Sequence, residues 1–80
     1  MITLTDTTRL EMAITRAKVT KAFLAKKLGL SSMGFYKKVH NLSEFKASEI
    51  EILTVLLRLT PYERDAIFFA SDVDLKSTIV

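Results

Sequence analysis

Between Thr20 and Asn41 the chain reads TKAFLAKKLGLSSMGFYKKVHN, a stretch crowded with hydrogen-bond donors. Lys21, Lys26, Lys27, Lys37 and Lys38 carry ammonium groups, Ser31, Ser32 and Tyr36 carry hydroxyls, and His40 and Asn41 add an imidazole and an amide. No acid occurs between Met12 and Ser43. Donors without internal neutralisation suit a polyanion, because phosphate oxygens accept from ammonium and hydroxyl groups and base edges accept from the same side chains. Other chemistries are poorly supplied. The chain holds a single histidine and no cysteine, which leaves no set of soft metal ligands. Ser31, Ser32 and Ser43 share a region with His40, but serines at helix starts are first of all caps, and no acid nearby in sequence orients the imidazole. The expected function is therefore binding and not catalysis, with no cofactor.

Charge is distributed unevenly. Eight basic residues (Arg9, Arg16, Lys18, Lys21, Lys26, Lys27, Lys37 and Lys38) face one acid, Glu11, between Arg9 and His40, whereas from Asn41 onward the acids outnumber the bases. The net charge of +3 thus hides a bipolar molecule. The N-terminal MITLTDTTRL lacks the basic flank and apolar run of a secretory signal, and no segment approaches the roughly 20 apolar residues that span a bilayer. The expected location is the cytoplasm.

The elements that must carry these donors are helical. One proline, two glycines and no sustained alternation in 80 residues predict one compact all-α domain of five helices over residues 1–70, with a C-terminal tail over 71–80 in which Ile79 and Val80 could dock. The first helix is expected to begin near Thr5 to Thr8, with Thr8 and Glu11 at capping-box spacing, and to end near Lys18, placing Leu10, Ala13, Ile14 and Ala17 on one face. Thr20 caps a short second helix with Leu24, Ala25 and Leu28 inward, and Gly29 ends it. Ser31 opens a third helix to about Asn41, with Phe35 and Val39 inward. Residues 42–47 read as a loop plugged by Phe45. Ser48 with Glu51, and Thr60 with Pro61 and Glu63, predict capping boxes for helices four and five. Those two helices carry apolar residues almost all round, more than one face can bury.

Two helices that cross closely need a small residue midway along the first and a residue tolerant of positive φ at the bend, and Ala25 and Gly29 meet those needs. Leu30 closes the turn and Ser31 caps the third helix. Through Thr20, Leu24, Ala25, Leu28, Gly29, Leu30, Ser31 and Phe35 the chain resembles the lambda-repressor-like (Cro/CI or XRE) family of helix-turn-helix regulators, from about Leu10 to Phe69. The stretch FYKKVHNLSEFKASEIEIL is similar to small Cro-like regulators of temperate phages of Gram-positive bacteria. That resemblance implies a transcriptional regulator that binds double-stranded operator DNA, usually as a dimer. Lys21 stands where the family often has glutamine, replacing a neutral phosphate clamp with a charged one. Met33 and Gly34 stand where many relatives carry hydrogen-bonding side chains.

With Phe35 and Val39 inward, Met33, Tyr36, Lys37 and His40 face outward toward a major groove. Lys37 suits guanine edges or a phosphate, Tyr36 a hydrogen bond, Met33 a thymine methyl, and Ser32 a phosphate at the helix start beside Ser31. Lys21, Lys38 and Asn41 are read as phosphate contacts. A competing reading is a modulator, or antirepressor, that docks on a partner repressor and blocks its DNA-binding surface. Phe23 points away from the Leu24 and Leu28 face, Met33 and Tyr36 make the third helix unusually apolar, and helices four and five have apolar residues to spare. Phe23, Ile67, Phe68 and Phe69 are the candidate partner or dimer interface.

Overall fold

Residues 3–71 are described by the computed structural model, in which five helices are closed by a short pairing between the two ends of the chain. Helix α1, Thr7–Ala17, starts at Asp6, whose carboxylate accepts a hydrogen bond from the Arg9 N–H at 3.1 Å. This corrects the expected box of Thr8 and Glu11. Aspartate two residues earlier satisfies an orphan donor of the first turn, and Glu11 instead reaches Lys21. Lys18 ends α1 in the left-handed region at φ 59°.

Helix α2 spans Lys21–Leu28 behind the Thr20 cap, and α3 spans Ser32–Val39 behind the Ser31 cap, both as expected at their starts. Helix α3 stops short of Asn41, which takes φ 64°. Helix α4, Ala47–Leu56, begins one residue before the expected Ser48 cap: the Glu49 carboxylate accepts from the Lys46 N–H at 2.8 Å. Ser48 and Glu51 are exposed and make no such box. Helix α5, Pro61–Phe68, has the expected box, in which Thr60 accepts from the Glu63 N–H and Glu63 from the Thr60 N–H. A two-residue antiparallel pairing joins β1, Thr3–Leu4, to β2, Ala70–Ser71.

The core takes Leu10, Ala13 and Ile14 from α1, Leu24 and Ala25 from α2, Phe35 and Val39 from α3, Ile50 and Leu53 from α4, and Ile67 and Phe68 from α5. Phe45 plugs the loop as expected, edge-on to Phe35 and to Phe68 at centroid distances of 6.2 and 5.3 Å. Ile67 and Phe68 are 3% and 4% exposed, so they are core residues and not the interface the sequence pointed to. Of that trio only Phe69 reaches solvent. The surplus apolar residues are Ile52, Val55, Tyr62 and Phe69, all exposed. The expected docking of Ile79 and Val80 lies outside the described residues.

Candidate nucleic-acid interface

Helix α2 packs closely on α3, and the bend between them is three residues long. Ala25 is 3% exposed, and its carbonyl accepts from the Leu30 N–H at 2.8 Å. Gly29 sits at φ 72°, the left-handed conformation that costs glycine nothing and other residues roughly 1 kcal/mol. Ser31 Oγ accepts from the Gly34 N–H at 3.0 Å. A Cβ at position 34 would lie 3.3 Å from that oxygen, so Gly34 leaves the cap its room.

Phe35 and Val39 anchor α3 in the core, and the opposite side presents Ser32, Met33, Tyr36, Lys37 and His40, all five exposed. The Tyr36 and His40 rings lie one turn apart with centroids 4.3 Å from each other, tilted by 41°. A shallow cavity of about 180 Å³ runs between the start of α2 and α3, lined by Lys21, Ala22, Ser32, Tyr36 and His40 over a floor of Phe35 and Val39. Phe23, on the outer side of α2, is 40% exposed, with Lys27 Nζ 5.5 Å above its ring centroid.

No known family, characterised protein or solved structure matches this chain. The site must therefore be read from its own geometry.

That geometry divides the nine residues expected to touch DNA. Ser31 is a cap, with its oxygen engaged by the helix it opens. Lys38 is corrected: only 11% of its side chain is exposed, and its ammonium is 2.5 Å from Glu49 Oε1. Burial pushes the Glu49 carboxyl up, but the hydrogen bond from Lys38, the Lys46 N–H and the two lysine charges outweigh it and hold the group below its ordinary 4.5. Asn41 is corrected as well. Its Oδ1 accepts from the Thr5 N–H and its Nδ2 donates to the Thr5 carbonyl, both at 2.9 Å. Lys21 remains on the surface, yet its ammonium lies 2.8 Å from Glu11. Arg9 pairs with Asp6 and Arg16 with Glu63, whose carboxyl is held below its ordinary range by the Thr60 N–H and by the Arg16 guanidinium.

Among the described residues, Lys18, Lys26, Lys27 and Lys37 in the basic half, and Lys46 and Arg58 beyond it, reach solvent without an acid within 4.0 Å. The described residues contain no group of three or more metal-ligating side chains, and no helix long and apolar enough to cross a membrane. What the face can do is donate hydrogen bonds, offer cationic charge at Lys37, and make apolar contact through Met33 and the Tyr36 ring.

Proposed function

We propose that this chain is a DNA-binding transcriptional regulator of the lambda-repressor-like helix-turn-helix type, acting in the bacterial cytoplasm on operator DNA. Helix α2 crosses the phosphate backbone and α3 enters the major groove. The observation that carries this reading is the outward face of α3: Ser32, Met33, Tyr36, Lys37 and His40 project together from a helix locked by Phe35 and Val39, and the whole of Thr20–Asn41 holds no acid. Lys37 and Tyr36 supply donors to base edges, Met33 apolar contact for a thymine methyl, and Ser32 a hydroxyl at the α3 start, where backbone N–H groups favour a phosphate. Two copies on half-sites about one helical turn apart would double this small contact.

The test is fluorescence anisotropy of the chain against duplexes from the promoter beside its gene and against scrambled duplexes of the same composition. A preference of at least about a thousandfold at one salt concentration is expected of a specific site. Equal binding to both sets refutes the reading.

A second reading is favoured by a specific observation. Phe23, Met33 and Tyr36 are 40%, 62% and 53% exposed, while Lys21 and Lys38 are ion-paired, which suits an apolar protein partner such as a repressor whose DNA-binding surface is then blocked. Adding the chain to a complex of the neighbouring repressor with its operator separates the two. Release of DNA without a shift by the chain itself supports the modulator.

A further inference from the structure

Helix α3 has eight residues and anchors itself in the core through only two of them, Phe35 and Val39. Two apolar anchors four apart fix one line along a helix and leave rotation about it to other contacts. Those contacts are polar and converge on its C-terminal end. The Val39 carbonyl, one of the last four in the helix and without an intrahelical donor, accepts from Thr7 Oγ1 at 2.7 Å. Two residues on, Asn41 turns into the left-handed region at φ 64°, and its amide meets both the N–H and the carbonyl of Thr5. That pair of bonds copies the way one strand pairs with the next, and Thr5 is only 7% exposed. The segment thus gripped is itself fixed, because Thr3–Leu4 pairs with Ala70–Ser71 and the Asp6 N–H donates to the Ile67 carbonyl at 2.7 Å.

We propose that Asn41 and Thr7 are positioning residues: they latch the end of α3 to the N-terminal segment and so set the angle at which Met33, Tyr36 and Lys37 are presented. This rests on the DNA-reading function proposed above and replaces the phosphate contact that sequence suggested for Asn41. A latch of this kind acts on discrimination. Base-edge hydrogen bonds depend on angle and distance, whereas attraction between lysines and phosphates tolerates small rotations, so a loosened α3 loses its preference for the operator and keeps its general affinity.

The test compares three variants by the ratio of operator to scrambled-duplex affinity, measured well below each variant's thermal midpoint. Asn41→Gly keeps the positive φ and removes both bonds to Thr5. Asn41→Asp keeps the acceptor for the Thr5 N–H and adds a negative charge. Thr7→Val removes the hydroxyl from Val39 without touching Asn41. The ratio is expected to fall about tenfold for Asn41→Gly and by less for Asn41→Asp and Thr7→Val, with the salt slope unchanged in Asn41→Gly and Thr7→Val. A direct phosphate contact gives a different order, since the charge of Asn41→Asp would then make it the weakest binder to every duplex while the ratio held. A lowered thermal midpoint with an unaltered ratio in all three would overturn the proposal by reducing the bonds to plain stabilisation. Amide exchange decides the latch without DNA: in Asn41→Gly the His40, Leu42 and Ser43 amides should exchange at least about fivefold faster while those of Leu10 and Leu53 hold. Unchanged exchange at the end of α3 would also overturn it. Failure of the wild-type chain to bind any duplex tells against the function itself, and leaves the exchange rates to judge the latch.

Discussion

Replacing Glu49 by leucine removes the acid that holds two elements at once. Its carboxylate takes the Lys38 ammonium from α3 and the Lys46 N–H at the start of α4, with 8% of its own side chain and 11% of that of Lys38 exposed. Breaking a buried pair from one side costs about 3–5 kcal/mol, mainly because the abandoned charge stays desolvated. Here the lysine stem is long and lies near the surface, so the ammonium can swing toward water and the loss falls at the low end of that range. The missing bond to the Lys46 N–H adds about 1 kcal/mol. A total near ~3–4 kcal/mol is a large part of the ~4–12 kcal/mol expected for a chain of this size and should lower Tm by at least about 12 °C. The double variant Lys38→Met, Glu49→Leu removes both charges together and should recover more than half of the loss. Acid titration supplies the sign. Because the folded Glu49 titrates below its ordinary 4.5, its contribution is complete above that value and disappears as pH falls through the lower folded value. Glu63 shifts the same way, so Glu49→Leu should shallow the acid loss without abolishing it. A Glu49→Leu protein within about 0.5 kcal/mol of wild type in urea unfolding would refute this account of the pair.

Lys37→Ala is expected to weaken operator binding by about 1–3 kcal/mol, more than Met33→Ala or Phe23→Ala, and to reduce the salt slope by about one; the opposite order in an anisotropy titration favours the modulator. Ala25→Leu should cost about 1–3 kcal/mol in thermal or urea unfolding, since Ala25 is 3% exposed where α2 meets α3. Phe68→Asp should unfold the domain outright, because the ring packs on Phe45 in the core, while the half-exposed Phe69→Ser should stay within about 1 kcal/mol of wild type by circular dichroism.

The legible features were those governed by neighbours in sequence. Thr20, Ser31 and the Thr60–Pro61–Glu63 box mark helix starts because a cap and its target lie three residues apart, and Gly29 marks an end because the bend needs positive φ. Where two candidates competed locally, the reading failed. Asp6 took the start of α1 from Thr8, and Glu49 took that of α4 from Glu51, each because the first turn is set two residues earlier. Three adjacent apolar residues at 67–69 looked like surplus surface, but the core takes Ile67 and Phe68, the latter against the Phe45 ring. Long-range polar pairings left no sequence signal at all. Asn41 meets Thr5 and Lys38 meets Glu49 only because the fold juxtaposes them, so both lysine and asparagine were assigned to a ligand that competes with an internal partner.

The same pairings change what the charge count means. Of the eight basic residues from Arg9 to His40, Arg9, Arg16, Lys21 and Lys38 each face an acid within 4.0 Å, leaving Lys18, Lys26, Lys27 and Lys37 as the uncompensated field. Counterion release scales with the phosphates neutralised, at about 0.9 per contact on duplex DNA, so contacts from these four lysines give one protomer a slope of log K against log salt of about −4. A slope that shallow supplies only modest general affinity, and under the proposed function a second protomer on the same site would add to it. Lys21 is the residue that could break this expectation, because its pair with Glu11 is exposed on both sides and exposed pairs hold with less than about 1 kcal/mol. If the measured slope per protomer is near about −5 and Lys21→Ala returns it to about −4, then Lys21 leaves Glu11 for a phosphate on binding. If Lys21→Ala leaves the slope untouched, the pair persists in the complex, and the clamp expected from the sequence is absent.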